Sequence, residues 1–277
     1  AIKRYFPIFV LPTMIAFTLG FIIPFVEGVY LSFCKFTTVN DAKFIGFANY
    51  AKVFADETFV HAFWYTAAFT VVSVILINVL AFAVALLLTK GFKGTNIFRT
   101  VFFMPNLIGG IVLGYIWQLL LNGILMKFSR TLTYSSTYGF WGLIILMCWQ
   151  QIGYMMIIYI AGIQNIPGEL IEAAEIDGAT KWQILKKVTI PMVMPSITVC
   201  TFLTLTNSFK LFDQNLALTN GEPSKMSEML ALNIFNTFYG RTGYEGVGQA
   251  KAVIFFILVT VIALTQNYLT RRKEVQQ

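Results

Sequence analysis

Thr201, Thr204, Asn207 and Ser208 stand at i, i+3, i+6 and i+7 in a stretch with no charged residue. Gln150, Gln151 and Tyr154 form a second polar group, with either glutamine one helical turn from the tyrosine. Amides, hydroxyls and an aromatic ring without charge suit a neutral polyhydroxylated ligand, which offers hydroxyls to hydrogen-bond and C–H faces to stack. Bond-making chemistry finds little material. There is a single histidine, His61, and the three cysteines, Cys34, Cys148 and Cys200, form no CxxC pair or metal spacing. No G-x-x-x-x-G-K-[ST], G-x-G-x-x-G or nucleophile elbow occurs. The chain is expected to be no enzyme and to bind no cofactor or metal itself.

The setting of these polar groups is apolar. Of 277 residues, 57% are hydrophobic and 12% charged, about half the charge of a typical soluble domain. Mean hydropathy is +0.71. Six stretches lack Asp, Glu, Lys and Arg: 5–26, 62–89, 100–126, 131–168, 188–209 and 252–270. Each is long enough for a transmembrane helix of about 20 residues, and too uniformly apolar for barrel strands. The expectation is an all-α integral membrane protein forming one domain, 1–277. Its six spans lie at about 7–33, 62–89, 98–121, 139–163, 190–212 and 250–270. The first is expected to be retained, since no A-x-A-like cleavage site follows it.

Six spans place both termini on one side. That side collects Lys3, Arg4, Lys90, Lys93, Arg99, Lys181, Lys186, Lys187, Arg271, Arg272 and Lys273. The other has Lys35, Lys43, Lys52, Lys127, Arg130, Lys225 and Arg241, spread over longer loops. The positive-inside rule makes the first side, with both termini, cytoplasmic. This bias accounts for the net charge of +7 without any nucleic-acid partner.

In an unpaired state, a polar amide in hydrocarbon costs roughly 2–7 kcal/mol. The two polar clusters must therefore face a cavity, or another helix, where small polar groups also act as packing contacts. Asn78 and Gln118, as single residues, are expected to be helix–helix contacts. Lys210 and Asp213, at i and i+3, are expected to pair with each other or to form part of an outer gate.

Residues 165–190 interrupt the spans with charge. Asn165 and Pro167 are helix-start residues, and Glu169 and Glu172 suit the positive end of a helix dipole. Leu170, Ala173, Ala174 and Asp177 are spaced to share one face, and Gly178 suits a left-handed C-terminal position. A second helical piece, ATKWQILKKV, leads to Pro191 and Pro195 and the next span. An amphipathic loop on the lipid surface would explain Trp182 and the lysines. It would not explain Glu169, Glu172, Glu175 and Asp177 within nine residues, which anionic lipids repel. A protein docking site fits better.

Glu172-Ala173-Ala174, Asp177-Gly178-Ala179, Pro191 and Pro195 resemble the EAA loop of permease subunits in binding-protein-dependent ABC importers. LSFCKF (31–36), FIGFANY (44–50), FRTVFFMPNLIGG (98–110) and FDQNLALTNGEP (212–223) are similar to the carbohydrate branch, the maltose-type permeases. The resemblance covers nearly the whole chain. It implies the type I importer permease fold, with a cytoplasmic coupling helix between the fourth and fifth spans. It implies docking of Glu172, Ala173, Ala174, Asp177, Gly178 and Ala179 on an ATPase dimer, which holds the ATP and Mg. It also implies a second, homologous permease, an extracellular solute-binding protein, and a sugar bound at Gln151, Tyr154, Thr204, Asn207 and Ser208, to which the polar cluster adds Gln150, where this chain departs from the family. Import of another small polar solute, and an ion-coupled secondary transporter, are the alternatives. The spans carry almost no acidic residues for ion coupling.

Overall fold

The computed structural model describes residues 2–91 and 93–272; Lys273, of the basic set expected on the cytoplasmic side, lies outside them. Helices dominate. The first, α1 (Ile2–Phe17), runs through a π-turn (Thr18–Ile22) into α2 (Ile23–Leu31). A two-stranded hairpin follows, β1 (Cys34–Lys35) antiparallel to β2 (Lys43–Phe44), then the short α3 (Ala48–Phe54). Next come α4 (Glu57–Leu88), α5 (Thr95–Phe103), α6 (Gly110–Leu125) and α7 (Ser136–Gln164). The charged interruption contains α8 (Gly168–Ile176) and α9 (Lys181–Ile184), the latter continuing through a π-turn (Leu185–Thr189) into α10 (Ile190–Met192). The remainder is α11 (Met194–Phe209), α12 (Asp213–Leu218), α13 (Leu230–Gly240) and α14 (Glu245–Arg271).

Among the described residues, five stretches are long and apolar enough to cross a membrane: Phe9–Leu31, Glu57–Leu88, Gly110–Phe128, Ser136–Gln164 and Glu245–Arg271. The pair Lys181–Met192 and Met194–Phe209, bent by 69°, makes a sixth if counted as one span. Two expected spans are not single helices. Residues 98–121 are divided by a 3₁₀ turn at Met104–Leu107 and an extended Ile108 and Gly109, so α5 is a separate helix. Pro105 causes this by withholding an amide proton. Residues 190–212 are broken at Val193, immediately before the Met194-Pro195 helix start.

The chain divides into two compact units. One, residues 61–232 and 258–277, has a core of α4 and α7 side chains such as Phe69, Ile77, Leu143, Met155 and Tyr159. Its helices approach closely through glycine. A Cβ on Gly153 of α7 would lie 1.8 Å from the Phe102 carbonyl oxygen. Cβ atoms on Gly110 and Gly114 would lie 2.7 and 2.5 Å from the Asp213 and Ala217 Cβ atoms, so G110-x-x-x-G114 seats α12 directly on α6. Gln118 adds a hydrogen bond to the Leu218 carbonyl at 3.0 Å.

The other unit, residues 1–60 and 233–257, contains a buried cation. Lys251 of α14 is 0% exposed. Its Nζ donates to Asp56 Oδ2, Asn233 Oδ1 and Thr237 Oγ1, each at 2.8 Å, which uses all three ammonium protons. The Phe59 ring lies 5.3 Å from the same nitrogen. Burial alone would raise the Asp56 carboxyl, but the bonds from Lys251 and Thr58 outweigh it and hold the carboxyl at about 2.

Removing one member of a buried ion pair leaves the other uncompensated. Lys251→Met is expected to destabilise the chain by about 3 kcal/mol, read as a lower unfolding temperature in mild detergent. Lys251→Met with Asp56→Asn should recover part of the loss. Because the Asp56 carboxyl is depressed, the pair stabilises fully above about pH 4, the usual carboxylate value. That contribution should fade as pH falls through about 2.

Candidate functional site

The charged interruption is an outward-standing helix fixed at both ends. Asn165 is not its start: its N–H bonds to the Ala161 carbonyl and closes α7. Pro167 precedes α8 in extended conformation and accepts from the Leu170 N–H. At the far end Gly178 has φ of +78°. Its N–H bonds to the Glu175 carbonyl and the Ala179 N–H to the Ala174 carbonyl, both at 3.0 Å. This is the Schellman arrangement, and it needs a left-handed residue at position 178. Thr180 then begins α9 with a capping box. The Gln183 N–H donates to Thr180 Oγ1, and the Thr180 N–H donates to Gln183 Oε1 at 2.7 Å. The T-x-x-Q spacing was the sequence signal for it.

No residue of α8 is buried. Ile171 packs on the core, and Ala174 is half-buried beside it, so Ala174 leaves the expected outward face. Leu170, Ala173, Ile176 and Asp177 remain exposed, Ile176 by 86%. A nine-residue helix is shorter than the ~12–15 residues that are marginally stable alone in water. The Schellman end at Gly178 and the contact of Ile171 with the core hold it in place. Ile176, three residues after Ala173 and four after Glu172, shares their exposed surface, and that spacing was the signal that could have found it.

The two polar clusters separate into packing and cavity groups. Thr204 is fully buried, donates to the Cys200 carbonyl at 2.7 Å and accepts from Asn78 Nδ2 at 3.3 Å. The Tyr159 hydroxyl donates to Asn78 Oδ1 at 2.7 Å. Thr204 is therefore helix-packing material here, joining α4, α7 and α11. Ser208 is also fully buried, and its Oγ has no partner among the described residues. Tyr154 is half-buried, with its ring centroid 6.4 Å from that of Phe103.

Gln151 and Asn207 come together. With Met147, Lys210, Leu211, Phe212, Asp213 and Gln214 they line a cavity of about 260 Å³. Gln151 is 8% exposed, yet its Oε1 has no hydrogen-bond partner among the described residues. Gln150 sits behind it, giving Nε2 to the Ile108 carbonyl at 3.3 Å and accepting from Gln214 Nε2 at 2.8 Å. Lys210 and Asp213 both reach the cavity, but no ion pair joins them. Lys210 ends α11 and Asp213 begins α12, so the chain turns between them and helical spacing does not apply. Gln214 had no sequence signal; the seat of α12 on Gly110 and Gly114 delivers it. The cavity falls just below the ~300–1,000 Å³ of ordinary ligand pockets, so a long ligand needs a further wall. Among the described residues no cluster of His, Cys, Asp or Glu could hold a metal ion.

A family model for the inner membrane component of binding-protein-dependent transport systems matches residues 77–275. The chain is 42% identical to the probable starch degradation products transport system permease protein AmyD of Thermoanaerobacterium thermosulfurigenes, over 97% of this chain and 94% of that protein. It is 29% identical to the multiple sugar-binding transport system permease protein MsmF of Streptococcus mutans, over 96% of this chain and 95% of the other. In fold it is similar to a bacterial ABC transporter involved in import of the acidic polysaccharide alginate. There the TM-score is 0.82, with 22% identity, 98% of this chain covered and 97% of that one.

Stability should separate packing groups from cavity groups. Asn78→Leu strips partners from buried Tyr159 and Thr204 and is expected to cost about 1–3 kcal/mol. Gln151→Leu removes a buried oxygen that has no partner and should leave the unfolding temperature unchanged or raised. Thermal unfolding of the two variants in detergent checks the contrast.

Proposed function

The chain belongs to the family of inner membrane components of binding-protein-dependent transport systems, and from that premise we propose that it carries a sugar or oligosaccharide inward as the permease subunit of an ATP-driven importer. Members of this family are transport components rather than catalysts. The chain is a multi-pass membrane protein, and the proposal orients it with both termini and α8 in the cytoplasm. Residues 1–277 then act as one membrane domain, with its six spans near the expected boundaries and the coupling loop at 165–190.

The observation that carries this reading is the exposed α8, closed at its end by the left-handed Gly178, between two membrane-spanning elements. Of Glu172, Ala173, Ala174, Asp177, Gly178 and Ala179, the exposed Glu172, Ala173, Asp177 and Gly178 would meet a cytoplasmic ATPase dimer, which binds ATP and Mg and performs the hydrolysis, with half-buried Ala174 and Ala179 supporting them from behind. A second, homologous permease would supply the missing wall of the cavity. An extracellular solute-binding protein would deliver the ligand. The sugar assignment draws on the relatives named for starch degradation products and multiple sugars. It also draws on the amides of Gln151, Asn207 and Gln214 at the cavity. Among the residues proposed for substrate, Gln151 and Asn207 would touch it directly and Gln150 would orient Gln214. Tyr154, Thr204 and Ser208 would enter the path only in another conformation.

Closure of the ATPase dimer would move α8 together with the partner permease's equivalent helix. The motion would pass through the helix at Lys181–Met192 and its 69° bend into α11, which carries Asn207. The two sites are coupled only where each favours the same global state.

Gly178→Leu places a side chain where φ is +78°, a left-handed position costing about 1–2 kcal/mol for a residue with a Cβ. It is expected to undo the end of α8. In cells producing the whole transporter, uptake of the sugar it carries should fall at least tenfold while the chain still inserts. Undiminished uptake would contradict docking through α8. Gln151→Leu should cut ligand-stimulated ATP hydrolysis about tenfold, one lost hydrogen bond to ligand being worth about 1–1.5 kcal/mol, with basal hydrolysis unchanged. An equal response from the wild type and this variant, or stimulation by another class of solute instead of sugars, would contradict the substrate assignment.

A further inference from the structure

Residues 32–56 join the first candidate span to the second and fold as a cap on helix ends within one compact unit. Asn49 is buried, and its Nδ2 donates to the Ser32 and Cys34 carbonyls at 2.9 and 2.8 Å. Ser32 Oγ lies 2.7 Å from the Tyr50 hydroxyl. The start of α14 presses on the same point: a Cβ on Gly246 would lie 2.2 Å from the Cys34 carbonyl oxygen. The cap is thereby held at the level where α2 ends and where α4 and α14 begin.

At that level it presents aromatic surface. Phe44, Phe47 and Phe54 are exposed, Phe47 by 73%. Phe33 gathers the first two and Tyr50, with ring centroids 6.4 Å from Phe44, 5.3 Å from Phe47 and 5.2 Å from Tyr50. The surface continues onto the first span, since Tyr30 of α2 stacks on Phe44 at 6.5 Å. That span has no buried residue in its apolar window. Charge lies beside the rings. Lys35, Lys43 and Lys52 are exposed. Of the nearby carboxylates, Asp41 accepts from the Thr37 and Thr38 N–H groups at 2.9 and 3.0 Å and also faces Lys43, and Asp56 binds Lys251; Glu245, at the start of α14, keeps one buried oxygen without a partner among the described residues. The bonds from Thr37 and Thr38 also hold the Asp41 carboxyl below its ordinary value.

We propose that residues 33–55 are an interfacial collar that seats Phe44, Phe47 and Phe54 in the bilayer boundary and binds anionic phospholipid headgroups through Lys35, Lys43 and Lys52. Rings at the height of span ends match the aromatic belt of membrane proteins. Ammonium groups beside them meet lipid phosphates and are strengthened by an anionic leaflet. Continuity with a candidate membrane span whose apolar window is unburied by this chain favours lipid over a protein partner. The name of the leaflet, the outer one, rests on the orientation proposed above; the seating in lipid does not.

The test places a nitroxide at Phe47→Cys and, separately, at Phe54→Cys in the full chain in lipid nanodiscs. Phe44→Cys serves if either fails to assemble. In discs containing phosphatidylglycerol the labels are expected to collide with oxygen in preference to a water-soluble nickel chelate, at a depth of about 5–10 Å into the boundary. Replacing Lys35, Lys43 and Lys52 together by Gln should lower phosphatidylglycerol retention at least threefold by native mass spectrometry, with phosphatidylcholine retention unchanged. Labels freely reached by the chelate would overturn the collar. So would shielding of the labels only when a solute-binding protein is added, which would make the patch a protein surface. Equal retention of both lipids after the lysine changes would overturn headgroup recognition.

Discussion

Hydrocarbon offers no hydrogen bonds, so every polar atom in a span must find a partner within the protein or mark a place where something else binds. This constraint sorts the polar residues. Asn78 satisfies Tyr159 and Thr204, Gln118 satisfies a carbonyl of α12, and Lys251 spends its three protons on three acceptors. These groups join helices. Thr70, Ser73, Gln151, Ser208 and Gln266 each keep a buried oxygen without a partner among the described residues. Of the five, only Gln151 borders the cavity with Asn207. A long amide beside open space is where a hydroxylated ligand gains most, because the protein supplies no competing bond.

Glycine places that amide as much as polarity does. Gly153 brings α7 against the backbone where α5 gives way to the turn at Met104–Leu107. Gly110 and Gly114 bring α12 against α6, and α12 carries Gln214 to Gln150. The cavity wall is thus built from close helix contacts that leave no room for a methyl group. Below it, α8, the π-turn at Leu185–Thr189 and the bend at Val193 form one covalent path to α11. Motion of α8 has a short mechanical route to Asn207.

The most legible features in the sequence depended on local physics. Uncharged runs marked most of the long apolar helices, and Gly178 marked a left-handed C-cap because few other residues adopt that conformation. Polar spacing was less informative. A run of residues three and four apart wraps more than one face, so Thr204 and Ser208 turn inward while Asn207, about 60° round the helix from Thr204, meets the cavity. The break at Met104–Gly109 was written in Pro105 and paired glycines but was hidden by the apolar run around it. Lys251 with Asp56, and Gly110 with Asp213, are joined over long sequence separations. No periodicity in a single chain reveals such pairs.

The central claim is that α8 is one half of an interface between membrane and ATPase. Purification of the tagged chain from its native membrane in mild detergent, with mass spectrometry of what accompanies it, tests this most directly. Near-stoichiometric recovery of an ATPase and a second multi-span permease is expected. Recovery of the intact chain alone, across several mild detergents, would leave α8 without a partner and contradict the claim.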